Sequence, residues 1–146
     1  MATWQEPVFD RTQGDVDYAK SQLSNGINNV EYKGCFNVTD INRIENNTRY
    51  LADMLLSLYY FNTITTTSSW ARNSLLYQQH IDRIIGNVSK VWSAWHKPAN
   101  APTLPNTLLD YEQVNNVEKN LYLLKEMLDN MVASFRECGT FSCGEE

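Results

Sequence analysis

The stretches FNVTDINRIENNTRYLADML (36–55) and LDYEQVNNVEKNLYLLKEML (109–128) lie over each other at a 73-residue offset. Ile41 falls on Val114, Asn42 on Asn115 and Ile44 on Val117. Glu45 falls on Glu118, Asn47 on Asn120, Leu51 on Leu124, and Met54-Leu55 on Met127-Leu128. A weaker third copy sits at a 40-residue offset, where Ile81, Asp82, Arg83, Ile84, Asn87 and Val91 cover Ile41, Asn42, Arg43, Ile44, Asn47 and Leu51. The shared pattern is apolar–Asn/Asp–x–apolar–x–x–Asn, with a further apolar residue four positions on. It reads as an internal repeat.

The same registers carry heptads. Val114, Val117, Leu121, Leu124, Leu128, Met131 and Phe135 form one stripe; Ile41, Ile44, Thr48, Leu51, Leu55 and Leu58 a second; Ile81, Ile84, Val88, Val91 and Trp95 a third. Alternating steps of three and four put each stripe on one side of a helix. Asn37 followed by Asp40, and Asp110 followed by Gln113, fit helix caps with a side chain reaching back from the third position. The expected fold is therefore all-α: an antiparallel bundle of three long helices at 37–60, 70–96 and 110–136 in a single domain. A short helix at 15–25 precedes them, ending at Asn25-Gly26. An N-terminal arm at 1–14 and a C-terminal tail at 137–146 are expected to be extended and non-helical.

Composition bounds the function. The chain has 146 residues, 42% hydrophobic and 20% charged, which suits one folded domain. A net charge of −5 argues against a nucleic-acid partner, which asks for a basic face. The longest apolar stretch, 54–61, is far short of the ~18 residues that suggest a membrane span. The start MATWQEPVFD lacks a basic region followed by an apolar one, so synthesis in a reducing cytoplasm is expected. The Asn-x-Ser/Thr sequons at Asn37, Asn46 and Asn87 then carry no information.

Chemistry finds little to stand on. Cys35, Cys138, Cys143, His80 and His96 lack the paired spacing of a structural metal site. Cys138 and Cys143 flank a turn-like stretch where a disulfide is sterically imaginable, but a reducing compartment disfavours it. His80 reads as a helix-surface residue and His96 as a helix-end cation. Glu45 and Glu118 share a phase but neither opens the Glu-x-x-His motif of a carboxylate metal centre. No catalytic residue, cofactor or metal is expected. Asn47, Asn87 and Asn120 share one phase beside the seam. They read either as a solvated flank or as donors and acceptors for the backbone of crossing loops. Trp4, Val8, Phe9 and Phe141, in the aperiodic ends, are the candidate interface residues, because aromatic anchors in extended segments suit recognition by a partner.

The opening WQEPVFDRTQGDVDYAK and the stretch KGCFNVTDINRIENNTRYLADML resemble small tail or baseplate-associated proteins of phages and prophages of gut Firmicutes. The resemblance is carried by Asp10-Arg11-Thr12, Lys33-Gly34, Phe36-Asn37, Asp40 and Asn42-Arg43-Ile44-Glu45. Trp70, Asp82-Arg83-Ile84, Gly139, Phe141, Gly144 and Glu145 extend it over nearly the whole chain. It implies a non-enzymatic structural or attachment role in a virion tail. The implied partners are other tail proteins or further copies of the chain, after synthesis in the bacterial host. The competing expectation is a bacterial cytoplasmic helical domain that binds one protein partner.

Overall fold

The computed structural model describes residues 2–67 and 69–145, with side chains described as far as Ser134. Four helices appear among them: α1 (Gln13–Ser24), α2 (Val38–Ser57), α3 (Gln78–Ala94) and α4 (Tyr111–Glu145). No strand occurs among the described residues. The last three helices pack on one another around a single core.

Their direction corrects the antiparallel expectation. Arg83 of α3 meets Glu45 of α2 at 2.6 Å, and Tyr60 and Trp95, just past the two C-termini, stack at 6.1 Å. Arg43 of α2 meets Glu118 of α4 at 2.6 Å, while Lys125 lies over the Tyr50 ring. Positions advance together along each pair, so α2, α3 and α4 are parallel. Gln78, at the start of α3, donates to the Asn106 carbonyl, and Thr107 donates to Gln113 near the start of α4.

The seams meet in layers. Ile41, Ile81 and Val114 share one level, then Ile44, Ile84 and Val117, then Thr48, Val88 and Leu121, then Leu51, Val91 and Leu124; all twelve are buried. β-Branched residues at both seam positions of the first layers suit three parallel helices better than two. The polar Thr48 is accommodated because its hydroxyl donates to the Ile44 carbonyl at 2.7 Å.

Parallel neighbours require the chain to travel back the length of a helix, about 30 Å for twenty residues. Extended backbone does this. Residues 3–11, residues 62–67 with 69–70, and residues 98–108 form three straps, each running opposite to the helices in a groove between two of them. The first lies between α4 and α2, the second between α2 and α3, the third between α3 and α4. The second strap is the reason the middle helix begins at Gln78 and not at 70. Asn42 holds the backbone of Trp70 at both its N–H and its carbonyl (3.1 Å each), so that segment has no free groups for a helical ladder.

The helix ends follow local chemistry. Thr12 and Asp15 form a reciprocal capping box, which starts α1 two residues earlier than expected. α1 ends in a six-to-one bond from Ile27 to Gln22 with Gly26 at φ +82°. α2 ends three residues before its expected limit, with the same six-to-one bond from Tyr60 to Leu55 and a shorter-range bond from the Tyr59 N–H to the Leu56 carbonyl. Here the left-handed position is Tyr59, at φ +68°. α4 stays helical to Glu145, where a non-helical tail from 137 was expected. Gly139 and Gly144 each disfavour a helix by only ~1 kcal/mol against alanine, and no proline stops it.

Nitroxide labels at Ser57 and Ser93, in a variant with the cysteines replaced by serine, should lie within about 25 Å. A Ser57/Gln79 pair should be separated by more than about 30 Å; the reverse order would restore the antiparallel bundle. Ile44→Ala should cost about 2–5 kcal/mol. Tyr59→Gly should raise stability by about 1 kcal/mol in denaturant unfolding, because the exposed ring contributes little and the left-handed backbone strain is relieved.

Candidate functional site

The polar residues that recur with the seams converge on the straps. Asn42 and Asn115, equivalent in the repeat, make the same contact: Asn115 accepts from the Arg11 N–H at 3.3 Å and donates to the Arg11 carbonyl at 3.0 Å, as Asn42 does with Trp70. Asn47 repeats the two-bond clamp on Gln5, at 2.9 and 2.8 Å. Asn87 donates to the Thr65 carbonyl and Asn120 to the Pro102 carbonyl. The three asparagines that share a phase therefore each hold the strap that precedes their own helix. A primary amide does this well because it offers donor and acceptor side by side.

The repeated glutamates do the rest. Glu45 accepts from the Thr67 N–H, the Trp70 indole N–H and Arg83. Glu118 accepts from the Val8 N–H, Arg11 and Arg43. In each case a carboxylate on one helix takes a strap N–H and an arginine of the next helix. The arginines, Arg43 and Arg83, are themselves equivalent at the 40-residue offset. Arg11 closes the larger of the two clusters, bonding Asp40 and Glu118 at 2.9 Å each. Its side chain is only 2% exposed, and that of Glu118 0%.

Burial works against the Arg43 charge, but the bonds to Glu118 and Asp40 outweigh it and hold the guanidinium above its ordinary pKa. The hydrogen bonds that Arg83 donates to Glu45 raise its pKa in the same direction, against a smaller penalty from burial. Neither arginine loses its proton in any accessible pH range.

The cap residues sit at the helix starts. The Asp40 carboxylate accepts from the Asn37 N–H at 2.8 Å, while the Asn37 amide group turns away to the Tyr32 and Cys35 carbonyls. Asp110 accepts from the Gln113 N–H at 2.9 Å, and Gln113 reaches back to Leu109. The middle helix, which has no such pair in its sequence, uses His80: its Nδ1 accepts from the Tyr77 N–H at 3.0 Å. Asp40, His80 and Gln113 occupy one repeat position.

Of the candidate interface residues, Trp4, Val8 and Phe9 come together in the first strap, half-buried on their own bundle. Trp4 stacks on Tyr50 at 5.7 Å and Phe9 on Tyr122 at 5.1 Å. Phe141 has its side chain outside the described residues, as do Cys138 and Cys143. Asp40 was legible as a capping residue, but its ion-pairing role, those of Arg11, Arg43 and Arg83, and the clamping role of Asn42 and Asn115 escaped the sequence reading, although the repeated Asn and Glu positions were the signal for them.

Gly34 approaches α1 so closely that a Cβ there would overlap the Asp15 carbonyl. Beside this contact a cleft of about 320 Å³ opens between α1 and the start of α4, lined by Gln13, Val16, Lys20, Cys35, Leu109 and Tyr111 among others. No histidine lines it. Among the described residues no group of three His, Cys, Asp or Glu side chains is arranged to hold a metal ion. No helix among them is long and apolar enough to cross a membrane. Comparison with protein families, curated proteins and solved structures found no match to the chain.

Arg11→Ala should destabilise the fold by about 3–5 kcal/mol, since it leaves Glu118 and Asp40 buried with one cation fewer. Gln5→Pro removes the N–H that Asn47 accepts and should cost about 1–3 kcal/mol. Equilibrium urea unfolding measures both; losses below about 0.5 kcal/mol, the size of an ordinary surface substitution, would mean that the first strap is not held as described.

Proposed function

We propose that the chain is a non-enzymatic structural protein of a phage tail or baseplate, working by docking onto other virion proteins or further copies of itself. The observation that supports this reading best is where the buried polar groups go. Asn42, Glu45, Asn47, Asn115 and Glu118 bond strap backbone and arginines, which makes the bundle a rigid body and leaves those groups no reacting partner. The role in a tail rests on the sequence resemblance, and the docking role on the rigid three-fold-like frame. Exposed apolar side chains support docking: Leu56, Tyr59 and Phe61 gather where α2 ends, with Tyr59 81% and Phe61 74% exposed. Such side chains are the usual anchors of protein interfaces.

Particles purified after induction of the source strain should contain the chain in fixed ratio to the tail proteins by quantitative mass spectrometry. Its presence in cells but absence from particles would overturn the virion reading and favour a cytoplasmic interaction domain.

A further inference from the structure

The cleft of about 320 Å³ between α1 and the start of α4 is open space between fixed walls. One wall is a single face of α1, where Val16 and Lys20 stand one turn apart. Phe36 and the buried Leu108 and Val114 make the surface between the walls apolar. The shape is held by the close approach of Gly34 to the Asp15 carbonyl and by the capping box that starts α1. Leu109 stands at the rim, 83% exposed.

Two cations border this space. Arg11 lines it, with its side chain 2% exposed. Its Nη1 donates to the Val8 carbonyl and to Asn115, and its Nη2 to Asp40 and Glu118. Its Nε is buried with no acceptor among the described residues. Buried donors are nearly always paired, and the cleft is the open volume that Arg11 borders. The charges around it already balance, Arg11 and Arg43 against Asp40 and Glu118. A further carboxylate there would be buried in excess, so the fitting acceptor is a neutral carbonyl. Lys20 is different: it is exposed and makes no ion pair among the described residues. It lies seven residues beyond Gln13, about 10 Å along α1. On the facing wall Asp110 caps α4, so an acidic group in the cleft is drawn to the α1 side.

We propose that this cleft is a docking site for a short extended segment of a protein partner that presents a backbone carbonyl, an apolar side chain and a carboxylate in that order. The carbonyl accepts from Arg11 Nε. The apolar side chain packs on Val16, Phe36, Leu108 and Val114, and the carboxylate pairs with Lys20. Extended chain advances roughly 3.3 Å per residue, so three residues cover the distance and the acidic residue lies two positions after the apolar one. The exposed Leu109 gives the rest of the partner an apolar rim to cover, which a small free acid would leave in water. This inference rests on the docking role proposed above and names the partner segment and where it binds.

The probe is the synthetic tripeptide acetyl-FAE-amide, titrated into the intact protein and followed by NMR. Saturable shifts are expected at the Val16 and Val114 methyl groups, with a downfield shift of the Arg11 Nε–H signal as it gains an acceptor. Alanine in place of the peptide's phenylalanine should weaken binding about tenfold. Glutamine in place of its glutamate should weaken it about threefold, the size of an exposed ion pair. Lys20→Glu should weaken binding of this peptide and favour acetyl-FAK-amide instead, and Lys20 is exposed, so the exchange leaves the fold intact. Val16→Trp should abolish binding by filling the cleft. No saturable shift at about 10 mM peptide would overturn the proposal. So would an Arg11 Nε–H signal that stays in place, a Lys20→Glu protein with unchanged preference, or 3-phenylpropanoate binding as tightly as the peptide, which would mark a pocket for small acids. Those outcomes leave the particle measurement untouched, so the two readings fail separately.

Discussion

Two carboxylates, Glu45 and Glu118, lie almost fully out of water at 1% and 0% exposure, and the rest of the architecture answers to that constraint. An isolated carboxylate in such a place is prohibitively unfavourable, so each must find cations and N–H donors in fixed positions. Only the parallel register brings Arg83 to Glu45 and Arg43 to Glu118. Only extended backbone in the intervening groove supplies the Thr67 and Val8 N–H groups. Sliding one helix by a heptad would keep apolar residues in contact but strand a buried charge. The apolar layers provide the driving force for association, while the ion pairs select among the packings those layers would tolerate.

This division of labour explains what was legible in the sequence. Helix positions and seams follow from apolar periodicity, and Ile44, Leu51, Val88, Val117 and Leu124 are core residues on that evidence alone. Direction does not follow, because a seam of Ile, Val and Leu packs equally well against a parallel or an antiparallel neighbour. The connectors held the answer. Residues 58–77 and 95–110 are longer than a bundle turn needs, and long enough to run back along a helix. Trp70 misled because its spacing continues the α3 seam, whereas its backbone is claimed by Asn42 and its indole by Glu45. The clamps were half visible: repetition marked Asn42/Asn115 and Glu45/Glu118 as meaningful, but only the fold identifies the strap atoms they hold. Arg11 was invisible as a site because its partners lie 29 and 107 residues away.

The equivalences also describe how such a molecule is organised. Each unit is a strap followed by a helix, and α1 with its following loop is an insertion between the first strap and its helix. One unit cannot bury its own seam, as holds for repeats generally. Three non-identical copies in one chain achieve what a trimer of separate strap–helix chains would achieve only at sufficient concentration.

Covalent linkage has a second consequence. In a true trimer every groove is the same, so a substitution that loosens one strap loosens all three. In a single chain the grooves can diverge. The first two have kept the asparagine clamp, the glutamate and the arginine of the neighbouring helix. The third has Asp82, Ile85 and Asn116 at those positions, and a strap carrying Pro98, Pro102 and Pro105. Prolines favour the extended conformation at little entropic cost while withholding N–H groups from the groove, so this strap is held less by hydrogen bonds to helix side chains than by burial of Pro98 and Leu108, with the Asn120 bond to the Pro102 carbonyl between them. Because α2 is ion-paired to both of its neighbours, through Glu45–Arg83 and Arg43–Glu118, two such grooves are enough to fix the register of all three helices. The frame is therefore asymmetric in how its grooves are held, although its helices repeat one pattern.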